Sequence, residues 1–122
     1  MVSNGRDRDV MPLSFLRSMA SQNYAPEEGI DGKDPLYSPL YYKGYDTKFP
    51  RTVITVGTRD LMLSSGVRVY WVLREAGIEV ELSVFEGMWH GFNWDPAIPE
   101  AKHARAVVLD FLERHGKDEQ KA

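Results

Sequence analysis

An aspartate and a histidine lie in two loops that each follow a predicted β-strand. Asp60 is in the loop 57–64 (Gly-Thr-Arg-Asp-Leu-Met-Leu-Ser), and His90 is in the loop 86–92 (Glu-Gly-Met-Trp-His-Gly-Phe). Adjacent parallel strands are about 4.8 Å apart, so loops that leave their same ends can bring the two side chains together. A carboxylate on one imidazole nitrogen fixes the tautomer, and the other nitrogen can then take a proton from a hydroxyl nucleophile. The placement therefore predicts an Asp–His couple.

A purely structural role is the alternative for both residues. An aspartate shortly before a helix is often a turn or cap residue, and a histidine beside glycine and aromatic residues is often only a loop residue. His103 and His115 lie among Lys, Arg and Glu near the C-terminus. There we expect solvent exposure or interaction with the end of a helix rather than catalysis.

The sequence indicates no metal ion and no cofactor. No pair of histidines or carboxylates has convincing metal-ligand spacing, and no glycine-rich loop resembles a phosphate cradle. The chain also contains no cysteine, which excludes disulfides and thiolate ligands.

The loop that carries Asp60 is predicted to connect a strand to a helix. Residues 52–56 (Thr-Val-Ile-Thr-Val) are β-branched throughout and are followed by glycine, which predicts a strand buried on both faces. Ser64 or Ser65 is expected to cap the following helix, which ends at Gly77. The acid candidate therefore lies at the carboxyl end of a buried strand.

A second strand and helix are predicted to hold His90. Apolar and polar residues alternate over 79–85, which is typical of a strand that is half exposed or near a sheet edge. Pro99 opens a last helix that closes at His115. Strand, helix, strand, helix predicts a parallel pair in an α/β fold.

The whole chain of 122 residues is predicted to be a single unit. Residues 1–11 are expected to be frayed, residues 12–25 to form a helix, and residues 26–51, rich in proline and tyrosine, to form an ordered loop. The strand–helix–strand–helix region then occupies residues 52–116.

The composition is that of a soluble globular domain, with 43% hydrophobic and 27% charged residues. A net charge of −3 lacks the broad basic surface that nucleic-acid binding requires. No apolar run approaches the ~18 residues of a membrane span, and the polar start does not resemble a signal peptide. We therefore expect a cytoplasmic protein with neither a nucleic-acid partner nor a membrane span.

Four segments of the sequence resemble the C-terminal part of the hormone-sensitive-lipase-like carboxylesterases. They are 34–39 (Asp-Pro-Leu-Tyr-Ser-Pro), 56–61 (Val-Gly-Thr-Arg-Asp-Leu), 73–80 (Leu-Arg-Glu-Ala-Gly-Ile-Glu-Val) and 86–92. The resemblance covers about residues 31–115, in the family's order and spacing. It implies a partial α/β-hydrolase fold, consisting of the last two parallel strands with flanking helices. It also implies that Asp60 and His90 correspond to the acid and base of the catalytic triad.

The family's nucleophile and oxyanion hole have no counterpart in the sequence. They lie in a Gly-x-Ser-x-Gly elbow and a His-Gly-Gly-Gly-like loop, both upstream of the acid. None of the eight serines has glycine at both second neighbours. We therefore expect a truncated C-terminal fragment of a carboxylic ester hydrolase that is inactive alone.

Three aromatic residues surround His90, namely Trp89, Phe92 and Trp94. The family's loop position implies that they line a pocket for the acyl or alcohol part of the substrate. Aromatic packing under a loop is the alternative.

Two other functions stay open: a non-catalytic self-associating protein, and one subunit of a split esterase whose N-terminal portion is another polypeptide. The strand 52–56 lacks a predicted neighbour on one edge, and Val67, Tyr70 and Trp71 form a second apolar helix face. We expect these two surfaces to pair with copies of themselves in a homo-oligomer, a dimer or larger.

Overall fold

The computed structural model describes residues 31–116, which form a two-stranded parallel sheet with two helices. Strand β1 (Thr52–Gly57) pairs with β2 (Val80–Phe85). Helix α1 (Leu63–Glu75) connects the two strands, and α2 (Pro99–His115) follows β2. Short 3-10 helices lie at Pro39–Tyr41 and Phe92–Trp94. The predicted pair of parallel strands with flanking helices is confirmed, whereas the predictions for residues 1–30 lie outside the described residues.

The two helices cover opposite faces of the sheet. A Cβ atom on Gly66 of α1 would lie 3.6 Å from Ile54 Cγ2, which places α1 over the face of the even-numbered β1 residues. On the other face, the ring of His103 in α2 meets the ring of Phe85 edge-on at 5.5 Å. Successive strand residues point to opposite faces, so β1 lies between two helical layers.

The hydrophobic core combines one strand residue with residues of both helices and their connections. Seven hydrophobic residues are buried: Val56, Leu73, Ile78, Phe92, Ala101, Ala104 and Phe111. Two of them are alanines of α2, and their small side chains allow the Phe92 ring to pack directly against the helix. The core therefore anchors the segment that follows His90.

Helix α1 begins earlier than the sequence suggests. Its N-cap is Met62, not Ser64 or Ser65, and no side chain of the cap residue bonds to the helix. The carboxylate of Asp60 instead accepts the N–H of Met62, so the loop before the helix supplies the polar partner. The predicted end at Gly77 is confirmed, because Gly77 has a φ of 81°.

Strand β1 is paired along one edge only, within residues 31–116. Thr52 N–H donates to Glu79 O and Thr58 N–H donates to Phe85 O, so the even-numbered residues of β1 bond to β2. Val53 and Thr55 direct their backbone groups to the other side, which we call the open edge of β1. The expected burial on both faces is reached only toward the end of the strand, because residues 52–55 are half-buried and Val56 is buried.

Arg114 connects α2 to β2 through a bidentate ion pair with Glu81. Its two terminal nitrogens donate to the carboxylate oxygens of Glu81 at 2.7 and 3.0 Å, and its Nε donates to Asp110 at 2.8 Å. The hydrogen bonds from Arg114 lower the pKa of Glu81 below its ordinary value. The end of the last helix is thereby fixed to the start of β2.

Residues 31–51 are irregular around the first 3-10 helix. The ring of Tyr45 stacks edge-on against Tyr42 and Phe49, with centroids 5.0 Å apart in each case. Within residues 31–116, no helix is long and apolar enough to cross a membrane.

Candidate active site

The acid loop (residues 58–62) leaves β1 through a tight turn that ends in a buried carboxylate. Asp60 N–H donates to Gly57 O at 3.1 Å, and Leu63 N–H donates to Asp60 O at 3.1 Å. Asp60 is 5% exposed, and its Oδ1 accepts the Met62 N–H at 2.6 Å. Its own loop therefore fixes the carboxylate in place before any other side chain contacts it.

The base loop (residues 86–91) follows β2 and is bounded by two glycines with positive φ. Gly87 has a φ of 74° and Gly91 a φ of 76°, a region that other residues adopt only with strain. Phe92, directly after the loop, is 2% exposed and packs in the core. His90 therefore lies on a short loop that is anchored at both ends.

Backbone contacts join the two loops. Arg59 N–H donates to Met88 O at 2.9 Å, and Gly87 N–H donates to Thr58 Oγ1 at 2.8 Å. A Cβ atom on Gly57 would collide with the carbonyl oxygen of Met88, so only glycine fits at that strand end. The base loop thus lies directly against the acid loop.

The structure brings Asp60 and His90 together, with Asp60 Oδ1 3.0 Å from His90 Nδ1. Oδ1 already accepts the Met62 N–H, so we assign the Nδ1 proton to the histidine, which donates it to the carboxylate. In this tautomer Nε2 is the basic nitrogen of the ring. The Asp60 side chain is 8% exposed and that of His90 36%, so the carboxylate is shielded while the imidazole remains accessible.

Asp60 also performs the turn role that was the alternative interpretation. One oxygen both satisfies the backbone before α1 and holds the imidazole. The two interpretations of this residue are therefore compatible.

The couple lines a groove of about 350 Å³ beside β1. The other lining residues come from β1 and from the start of α1: Ile54, Thr55, Val56, Met62, Ser65, Gly66 and Val69. The floor is mainly apolar, and the couple supplies its two titratable groups. A group that enters this groove could reach His90 beside apolar side chains.

The three aromatic residues near His90 have different environments. Phe92 is in the core, and Trp89 is half-buried against the same cluster. Trp94 is 85% exposed. Within residues 31–116, the groove that holds the couple is lined by none of the three. These contacts favour packing for Phe92 and Trp89, and a part in substrate binding stays a prediction.

The other two histidines lie away from the couple. His103 is exposed, and His115 is the last residue of α2, which are the two placements that the sequence predicts, but the side chain of His115 is only 16% exposed. His115 Nδ1 lies 3.0 Å from a guanidinium nitrogen of Arg51, and its Nε2 lies 3.5 Å from Glu79 Oε1. Residues directly before both strands therefore contact this ring, although His115 Nε2 has no hydrogen-bond partner in the described part of the chain. In the described part of the chain, no three His, Asp or Glu residues are grouped to hold a metal ion.

The sequence alone does not predict the roles of two residues of the site. It predicts only that Gly57 ends a strand, and it predicts no role for Thr58. The contacts of both residues are with a loop about thirty positions away, so no local pattern could reveal them.

Comparison with known proteins identifies the fold family of the chain. Residues 2–93 match a family model described as the alpha/beta hydrolase fold. An esterase of Acinetobacter venetianus strain RAG-1 is 32% identical over 100 residues, which are 81% of this chain and 32% of the esterase.

Solved structures of esterases share the fold. Esterase E25 is 41% identical with a TM-score of 0.65, over 84% of this chain and 29% of E25. A hormone-sensitive lipase from a metagenome library is 26% identical with a TM-score of 0.75, over 88% of this chain and 36% of the lipase.

The chain belongs to the α/β-hydrolase family, because the family model matches well over half of it. Within that family, it is a relative of the hormone-sensitive-lipase-like carboxylesterases, which confirms the resemblance of the four segments. The chain spans about a third of the length of the relatives named above.

Proposed function

We propose that this chain supplies the acid and the base of a serine carboxylesterase active site. Asp60 is the orienting acid and His90 is the general base. The supporting observation is the 3.0 Å contact between Asp60 Oδ1 and His90 Nδ1, on loops that leave the same ends of two parallel strands. The family supplies the reaction class, hydrolysis of carboxylic esters.

The geometry suits a two-stage acyl transfer. A serine hydroxyl gives its proton to His90 Nε2 while its oxygen attacks the ester carbonyl carbon, and His90 then returns the proton to the leaving alcohol. A water molecule then attacks the acyl-serine in the same way, which releases the carboxylic acid product and regenerates the serine. Asp60 stays ionised throughout and stabilises the imidazolium that forms in each half-reaction.

The nucleophile and the oxyanion donors come, in this proposal, from a further portion of the enzyme. No serine of this sequence lies in a Gly-x-Ser-x-Gly elbow. The chain spans about a third of its esterase relatives, which supports its interpretation as a C-terminal fragment or as one subunit of a split esterase. The groove beside His90 and the open edge of β1 offer the place where that portion would dock.

Hydrolysis of a short-chain p-nitrophenyl ester tests this proposal. The chain alone should not exceed background, because covalent catalysis and oxyanion stabilisation are both missing. Turnover should appear when the chain is mixed with the part of esterase E25 that it does not match. If the repurified chain alone hydrolyses the ester and His90→Ala abolishes this activity, no second portion is needed and that part of the proposal is wrong. If the two parts form a stable complex that does not hydrolyse the ester, the catalytic proposal is wrong.

A non-catalytic, self-associating protein is the second candidate, and the open edge of β1 favours it. Two identical edges pair antiparallel around a two-fold axis, so a second copy of the chain is a self-complementary partner. Trp71, 52% exposed on α1, would add apolar contact area.

A further inference from the structure

Three hydrogen bonds join the segment before Asp60 to the segment before His90. Thr58 N–H donates to Phe85 O, Arg59 N–H donates to Met88 O, and Gly87 N–H donates to Thr58 Oγ1. Of these three bonds, only the last involves a side chain. It is therefore the one that depends on residue type and that a substitution can remove selectively.

The hydroxyl of Thr58 contacts the base loop where the chain turns sharply. Gly87 has a φ of 74°, and its N–H is aimed at Thr58 Oγ1 at 2.8 Å in a partly buried position. Asp60 lies two residues after Thr58, and His90 lies three residues after Gly87. The Thr58–Gly87 bond and the Asp60–His90 contact thus connect the same two short loops at neighbouring positions.

We propose that Thr58 is a positioning residue for His90. The hydroxyl oxygen of Thr58 holds the base loop at the distance where His90 Nδ1 contacts Asp60. The contact is 3.0 Å long, and a displacement of about 1 Å would take it beyond hydrogen-bond range. Shifts of this size at a catalytic group cost activity. The inference rests on the proposed function for its purpose, whereas the contact itself can be measured without catalysis.

Nuclear magnetic resonance of the full chain tests the proposal through the Nδ1-bound proton of His90. Thr58→Val keeps the side-chain shape and removes the hydroxyl, and Thr58→Ser restores a hydroxyl. Thr52→Val is the matched control, because Thr52 Oγ1 donates to Pro50 O at 2.9 Å at the opposite end of β1. Amide exchange of Ile54 and Glu81, in the paired strands, reports whether each variant is folded.

We expect Thr58→Val to lose or broaden the His90 Nδ1–H signal. It should also speed exchange of the Gly87 amide about fivefold, the factor that corresponds to one ordinary hydrogen bond. Thr58→Ser and Thr52→Val should keep both features. A folded Thr58→Val protein with an unchanged Nδ1–H signal would overturn the proposal. If Thr58→Val does not fold, amide exchange in the wild type tests the proposal instead. A wild-type Gly87 amide that exchanges as fast as in an unfolded chain would also overturn the proposal.

Since this readout needs no ester, it separates the two proposals. Loss of the signal in Thr58→Val supports the positioning role even if no esterase activity is found. Activity of the complemented enzyme supports the proposed function even if Thr58→Val leaves the signal intact.

Discussion

A single oxygen of Asp60, Oδ1, lies 3.0 Å from His90 Nδ1 while it accepts the backbone N–H of Met62 at 2.6 Å. The acid of the candidate couple is thereby fixed to the residue that precedes α1. Orientation of the base and the start of the helix depend on the same side chain.

Asp60→Asn and Asp60→Ala should therefore differ in stability. The amide oxygen of asparagine can still accept the Met62 N–H, whereas alanine leaves that donor without its side-chain acceptor. We expect Asp60→Ala to lower the free energy of unfolding by about 1–3 kcal/mol and Asp60→Asn to lower it clearly less. Urea unfolding of the two variants measures the difference, and equal losses would show that the helix start does not depend on this bond.

Two glycine substitutions should have opposite effects. A Cβ on Gly57 would collide with Met88 O, so Gly57→Ala must displace the base loop. Gly66 lies inside α1 with room for a Cβ, so Gly66→Ala should stabilise the protein by up to about 1 kcal/mol. Thermal unfolding should show a lower melting temperature for Gly57→Ala and a higher one for Gly66→Ala. The close loop contact is refuted if Gly57→Ala melts like the wild type.

Much of the fold could be predicted because its signals are local. The β-branched residues 52–56 predict β1, and the glycine at position 77 predicts where α1 stops. The strand–helix–strand order predicts the parallel pairing. The Asp60–His90 contact was also accessible, since both residues follow strands at the same end of the sheet.

One missed feature is a local contact, and the other depends on tertiary contacts. Ser64 and Ser65 are good caps by type, but the carboxylate of Asp60 already serves the backbone before the helix. The burial of His115 depends on Arg51 and Glu79, which are far from it in sequence. Such pairings arise from sheet register, and short-range patterns do not contain them.

The Glu81–Arg114 pair should make stability depend on pH. The hydrogen bonds from Arg114 lower the pKa of Glu81 in the folded state, so the pair stabilises the fold above the ordinary glutamate pKa. This contribution is lost as the pH falls through the lowered pKa. Both side chains are partly exposed, so the effect should be small and should weaken at high salt.

Melting curves of Glu81→Gln and the wild type from pH 7 downward measure this dependence. Glu81→Gln should melt lower at pH 7, and the gap should close once Glu81 is protonated in the folded wild type. Glu113→Gln, at an exposed position of α2, serves as the control. A gap that stays constant across this range would rule out the pair as its cause.

Self-association through the open edge of β1 and the Val67, Tyr70 and Trp71 face remains a prediction. Light scattering at micromolar concentration should detect a dimer or a larger assembly, which Val53→Lys or Trp71→Glu weakens. Leu36→Glu, on an 82% exposed residue that belongs to neither surface, should leave the assembly intact. A monodisperse 13.9 kDa species that melts cooperatively would exclude this mode of association.

The central claim is that Asp60 and His90 are the acid and base of an esterase. The ester hydrolysis rate of the chain mixed with the unmatched part of esterase E25 tests it most directly, with variants of the couple and matched controls. His90→Ala and Asp60→Asn should each lower kcat by about 10³-fold or more, because the first removes the base and the second its orienting carboxylate. His103→Ala and Asp95→Asn change the same residue types outside the couple, and they should retain the full rate. Equal rates for His90→Ala and His103→Ala would contradict the assignment of His90 and Asp60 as base and acid.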